Sequence, residues 1–119
     1  LSHHGGNKTM LEKIRKIDQW HVAQFARLLE RLNGMREGDG SVLDHSMIVY
    51  GGAIGDGNAH NHDDLPILLA GRGNGTLTPG RHLKYRNGTP MNNLFLSMLD
   101  RMNVRMPKFG DSTDRLAGL

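Results

Sequence analysis

Two short apolar runs, each ended by glycine, set the main limit on how this chain can fold. They are Ser-Met-Ile-Val-Tyr at 46–50 and Leu-Pro-Ile-Leu-Leu-Ala at 65–70. Both runs are continuous rather than alternating, which is typical of strands buried on both faces of a parallel sheet. Two such strands do not form a stable sheet by themselves. We therefore expect them to be covered by upstream sequence of a larger α/β domain, by other members of an assembly, or by a second copy in a homo-oligomer.

Two amphipathic helices are predicted on either side of these strands. Thr9 and Glu12 have the spacing of a capping box, and Asn33-Gly34 is a typical helix stop, so the first helix is expected at 9–33. Thr89-Pro90 is expected to open a second helix, with threonine as the cap and proline at the first helical position. Apolar residues recur at helical spacing in both segments: Leu11, Ile14, Ile17, Phe25, Leu28 and Leu32, then Met91, Leu94, Phe95, Met98, Leu99 and Met102.

Length and composition exclude several classes of protein. A chain of 119 residues is expected to form one domain, 1–119. The net charge is +3 and the basic residues are dispersed, without the aromatic-lined stripe or named motif of a nucleic-acid-binding surface. No segment has the ~20 apolar residues that a membrane-spanning helix needs. The chain has no cysteine, which removes disulfides and thiolate metal sites.

Two histidine-bearing segments are the candidates for chemistry. Ser-His-His-Gly-Gly-Asn at 2–7 precedes the long helix, and Gly-Asp-Gly-Asn-Ala-His-Asn-His-Asp-Asp at 55–64 follows the first apolar run. Open α/β sheets bind ligands at the carboxyl ends of their strands, where the second segment would lie. Imidazole and carboxylate groups together suit Zn²⁺, Mn²⁺ or Fe²⁺. An alternative stays open, because Asp, Asn and Gly also form turns and loop histidines are usually only solvated.

These segments also carry a resemblance to the HXXSHH family, a bacterial domain of unknown function. The similarity spans essentially the whole chain and includes Leu-Ser-His-His-Gly-Gly-Asn at 1–7, Ile-Asp-Gln-Trp-His at 17–21, Leu-Asp-His-Ser-Met-Ile-Val-Tyr-Gly at 43–51, Gly-Asp-Gly-Asn at 55–58, His-Asn-His-Asp at 60–63, Leu-Pro at 65–66 and Phe-Gly-Asp-Ser-Thr at 109–113. Members are several times longer, and many look exported through a twin-arginine signal. The resemblance implies the C-terminal portion of an extracytoplasmic, periplasmic or secreted protein, with the first histidine of the motif upstream of Leu1.

A more distant similarity is to the alkaline phosphatase and sulfatase superfamily. The order of segments agrees: His-Gly-Gly-Asn at 4–7, Leu-Leu-Glu-Arg-Leu at 28–32, Met-Ile-Val-Tyr at 47–50, Gly-Asp-Gly at 55–57, a histidine before Leu65-Pro66, and Asn-Leu-Phe-Leu-Ser-Met-Leu at 93–99. The superfamily implies part of a three-layer sheet and a divalent metal held by His4, Asp56, His60 and His62. Asp56 is followed by Gly57, where that superfamily has histidine.

The expected function follows from these resemblances. It is a fragment of a metal-dependent phosphatase- or sulfatase-like hydrolase that is inactive alone, because the superfamily's nucleophile would lie outside the chain. The alternative is a non-catalytic extracytoplasmic structural or binding subunit that retains the fold.

Overall fold

The first element, helix α1, spans Lys8–Gly34 in the computed structural model, which covers residues 1–119. Asn7 caps it: its side-chain oxygen accepts hydrogen bonds from the backbone N–H groups of Thr9 (3.0 Å) and Met10 (3.1 Å). The predicted capping box is wrong because Asn7 is a strong cap that starts the helix before Thr9. Glu12 then lies too far along the helix to reach the cap, and its carboxylate accepts from Arg15 instead (2.7 Å).

A small hairpin lies between α1 and the first apolar run. Strands β1 (Arg36–Glu37) and β2 (Gly40–Ser41) pair antiparallel around a turn in which Gly38 has a φ of +58°. The Asp44 carboxylate accepts from both the backbone N–H and the hydroxyl of Ser41 (2.9 and 2.8 Å). These hydrogen bonds hold the pKa of Asp44 below its usual value, so the carboxylate stays charged and fastens the hairpin to the chain that follows.

The two predicted strands form, but they run in opposite directions. Strand β3 (Ile48–Gly51) pairs with β4 (Ile67–Ala70) so that Ile48 lies opposite Ala70 and Gly51 opposite Ile67. The expected parallel arrangement is therefore wrong. A parallel crossover usually needs a helix to carry the chain back, and residues 52–66 form none. The expected burial is wrong as well, since no residue of either strand is fully buried.

Helix α2 (Asn92–Arg101) carries most of the small core. Leu94 and Leu96 on its inner face are buried, as is Leu77 in the loop before it. Thr89 does not cap this helix, because its hydroxyl donates to the Arg86 carbonyl (2.7 Å). Two buried polar side chains of the helix hold the C-terminal residues.

These two side chains are Asn93 and Ser97. The Asn93 side-chain oxygen Oδ1 accepts from the Thr113 N–H (2.9 Å), and the Ser97 hydroxyl accepts from the Leu116 N–H (2.7 Å). At the surface, Arg115 donates to the Asp100 carboxylate (2.8 Å), which lowers the pKa of Asp100. The irregular residues after 107 are thus fixed by hydrogen bonds rather than by apolar burial.

Little of the chain is shielded from water. Eight of 119 residues are buried, and none of them belongs to α1. The accessible surface of 8667 Å² exceeds the roughly 6,400 Å² expected for a folded monomer of this mass. The architecture is mixed helix and strand, with two helices and two separate two-stranded antiparallel sheets. The predicted three-layer sheet is not shown by this arrangement.

A substitution at Gly71, just after β4, would test the packing of this region. The φ of Gly71 is +95°, and a Cβ there would overlap the Ser46 carbonyl oxygen. We expect Gly71→Ala to lower the free energy of unfolding by roughly 2–4 kcal/mol, because strain and overlap add. Gly75→Ala is the matched control: Gly75 has a φ of +82° with open space around it, so only the strain of about 1 kcal/mol applies. Urea denaturation measures both, and equal losses would contradict the close approach of Gly71 to Ser46.

Candidate functional site

Two loops that are far apart in sequence meet at the end of the β3–β4 pair. One is the N-terminal loop, residues 1–7, which leads directly into α1. The other is the connecting loop, residues 52–66, which joins β3 to its antiparallel partner β4. Asn58 joins them, because its side-chain oxygen accepts from the Gly5 N–H (3.0 Å). Gly57 lies so close to the Ser2 backbone that a Cβ would overlap it. We call the side chains gathered here the histidine cluster: His3, His4, Asp56, Asn58 and His60.

Asp56 organises the connecting loop from within. Its Oδ1 accepts from the backbone N–H groups of Asn58 (2.6 Å) and Ala59 (3.0 Å), and its carbonyl accepts from the His60 N–H (2.8 Å). The hydrogen bonds from Ala59 and Asn58 lower the pKa of Asp56. The tight turn leaves His60 in the left-handed region, with a φ of +51°. The turn-forming role that Asp and Asn residues suggested for this segment is therefore confirmed for Asp56.

The closest approach between two side chains of the cluster is between two imidazole rings. The Nε2 atoms of His3 and His60 lie 2.7 Å apart, and the ring planes are inclined by 72°. At this distance one nitrogen carries the proton and the other accepts it. Two ring nitrogens that are 57 residues apart in sequence thus come within hydrogen-bonding distance of each other. The sequence reasoning did not select His3, since the resemblance assigned a ligand role only to the histidine beside it.

His4 lies next to this pair but is held differently. The Gly6 N–H donates to His4 Nδ1 (3.0 Å), so in the neutral ring the proton is on Nε2. That nitrogen faces Asp56 Oδ1 at 4.0 Å, and the Asn58 amide nitrogen is 3.2 Å from both ring nitrogens. With 13% of its side chain exposed, His4 is well shielded. A metal could bind His4 Nε2 only after the ring gave up the hydrogen bond from Gly6.

His62, the fourth predicted ligand, is turned elsewhere. Its Nδ1 is hydrogen bonded to the Ala53 carbonyl within the connecting loop, rather than to any member of the cluster. The structure therefore brings His4, Asp56 and His60 together, adds His3 and Asn58, and leaves His62 apart. No group of three or more histidine and carboxylate side chains is arranged to hold a metal ion jointly. The ligand set inferred from the superfamily stays a prediction, of which His60 has the most suitable geometry.

Comparison with known proteins adds no identification. No family model, no curated protein and no solved structure matches the chain. The resemblances to the HXXSHH family and to the phosphatase and sulfatase superfamily are thus still predictions. Neither helix is at once long enough and apolar enough to cross a bilayer.

Gly57 tests whether the two loops meet as described. We expect Gly57→Ala to separate them, because the new methyl group would overlap the backbone of Ser2. The nuclear Overhauser effect between the His3 and His60 ring protons, whose ring centroids lie 4.8 Å apart, should then be lost. Gly52→Ala is the control in the same loop, since the nearest atom to its Cβ would be at an ordinary 3.6 Å. An unchanged effect in Gly57→Ala would show that the loops do not touch at this residue.

Proposed function

We propose that the chain carries a divalent-metal site centred on His3 and His60, as part of a metal-dependent phosphatase- or sulfatase-like hydrolase domain. The observation that carries the proposal is the 2.7 Å approach of the two Nε2 atoms. Neutral imidazole is the commonest protein ligand for Zn²⁺ and related ions. An ionised carboxylate, Asp56, and a shielded histidine, His4, lie beside the pair. This combination of groups supports a metal site better than a solvated turn.

The distance between the ring nitrogens fits this proposal after a small adjustment. Two nitrogens bound tetrahedrally to one Zn²⁺ at ~2.0–2.1 Å lie about 3.3 Å apart. The rings of His3 and His60 would need to separate by about 0.6 Å, and both residues are exposed in loops that can accommodate this. The pair provides two protein ligands, and a catalytic site commonly has three with one open position. Asp56, whose Oδ1 lies 4.0 Å from His4 Nε2, is the carboxylate of the cluster that could complete the set.

Four of the five residues of the cluster have a part in this proposal. His3 and His60 hold the ion, Asp56 shapes the turn that presents His60, and Asn58 keeps the two loops together. When bound, a divalent ion would polarise a phosphoryl or sulfuryl oxygen and neutralise the charge that develops on it. The superfamily resemblance puts the nucleophile outside residues 1–119. The proposal therefore assigns metal binding to this chain and expects phosphatase and sulfatase assays on it to be silent.

Calorimetric titration of the chain with Zn²⁺, Mn²⁺ and Fe²⁺ tests the site. We expect one ion per chain, and we expect His3→Ala/His60→Ala to weaken binding at least tenfold, because it removes both nitrogens that point at the ion. His82→Ala is the matched control, since His82 is exposed in a loop outside the cluster. The proposal fails if the wild-type chain binds none of these ions. It also fails if the cluster variant binds as tightly as the control.

A second candidate function is a non-catalytic structural or binding subunit of a larger assembly. The excess of roughly 2,200 Å² of accessible surface over a compact monomer favours it, because a standard protein interface buries only about 800 Å² per partner. One measurement distinguishes the two candidate functions. The non-catalytic candidate expects a chain without metal whose thermal stability is the same with and without the His3→Ala/His60→Ala substitutions.

A further inference from the structure

The solvent-facing side of α1 carries a pattern of side chains that does not serve the packing of the chain. At about 100° per residue, one arc of the helix roughly 120° wide contains mainly two kinds of side chain. We define the outer face of α1 as the apolar Met10, Ile17, Trp20 and Leu28 and the basic Lys13, Arg27 and Arg31 on this arc, which also holds Thr9 and the half-buried Gln24. All seven residues are exposed, and Trp20, the only tryptophan of the chain, is 59% exposed. An isolated exposed apolar residue needs no explanation, but an aligned row of four on one helix does.

The contacts of α1 with the rest of the chain are on a neighbouring side. Ile14, Leu29 and Leu32 are half-buried there, and Phe25 stacks on Tyr50 of β3 with the ring centroids 4.9 Å apart. That inner side already satisfies the amphipathic pattern of a helix packed on a protein core. The outer face is therefore a second apolar row, separate from the one that joins the helix to the fold.

The charges on the outer face are of one sign. Lys13, Arg27 and Arg31 form no ion pair. The acidic residues of the helix lie outside the arc, and one of them, Glu12, is already bonded to Arg15. A partner for this face must thus supply both an apolar surface and negative charge.

This charge pattern distinguishes between partners. A second copy packed antiparallel would place the basic edges of the two helices against each other, which is unfavourable. A nucleic acid would neutralise the cations but leave Met10, Ile17 and Leu28 in water. An anionic bilayer satisfies both parts, because apolar side chains enter the boundary between headgroups and acyl chains while Lys and Arg remain among the headgroups.

We propose that the outer face of α1 binds an anionic lipid surface, with the helix lying in the plane of the membrane. This binding involves no residue of the histidine cluster, so it is independent of metal binding. Its energy has two sources, the burial of four apolar side chains and the attraction of three cations to the surface.

Trp20 reports directly on this binding. The full chain is mixed with phosphatidylcholine vesicles that contain about 30% phosphatidylglycerol, and separately with pure phosphatidylcholine vesicles, in about 150 mM salt. We expect a blue shift of Trp20 fluorescence and co-sedimentation with the anionic vesicles only. Lys13→Glu/Arg27→Glu/Arg31→Glu should weaken the partition at least ~100-fold, since each of the three cations near such a surface contributes about 1 kcal/mol, or about fivefold.

Lys84→Glu/Arg86→Glu/Lys108→Glu is the matched control, because it changes the net charge equally at exposed positions outside α1. It should retain most of the binding. Absence of binding to anionic vesicles overturns the proposal, and so does an equal loss in the control, which would indicate attraction by net charge alone. A blue shift that appears without vesicles as protein concentration rises, and is lost in the α1 variant, would assign the face to a second copy instead.

Discussion

The antiparallel pairing of β3 with β4 determines where the chemistry of this chain lies. Because the chain turns back after Gly51, residues 52–66 must form a loop at one end of the two-stranded sheet. That loop meets residues 1–7 through the Asn58–Gly5 hydrogen bond and the close approach of Gly57 to Ser2. A parallel crossover would have carried residues 52–66 to the other end of the sheet. The histidine cluster is thus a consequence of strand direction.

The sequence predicted the helices well and the strand direction wrongly, for a physical reason. The periodicity of α1 and its stop at Gly34 are local properties that neighbouring residues determine. An apolar run of four residues carries no information about which way its partner runs, and burial of both faces was inferred from a core that this chain does not form. The same limit applies to the site: local spacing selects the segment that holds His60, and the superfamily resemblance adds Asp56. His3 becomes visible only when its ring meets that of His60.

Both proposed activities of the chain depend on its large solvent-exposed surface. With only three apolar residues fully buried, stability relies on hydrogen bonds such as those that the C-terminal backbone N–H groups donate to the Asn93 and Ser97 side chains. Apolar groups on α1 are left for contacts beyond the chain itself. The histidine cluster is equally accessible, since its loops lie at the surface and only His4 is well shielded. Metal binding and membrane contact would therefore use different surfaces of one thinly packed fold.

The central claim is that the ring nitrogens of His3 and His60 act as one pair. Long-range ¹H–¹⁵N correlation of the imidazole nitrogens during a Zn²⁺ titration measures this most directly. The account predicts that His4 carries its proton on Nε2 before zinc is added, and that the Nε2 signals of His3 and His60 then shift together up to one ion per chain. Independent shifts of His3 and His60, or a shift of His62 while they stay unchanged, would contradict it.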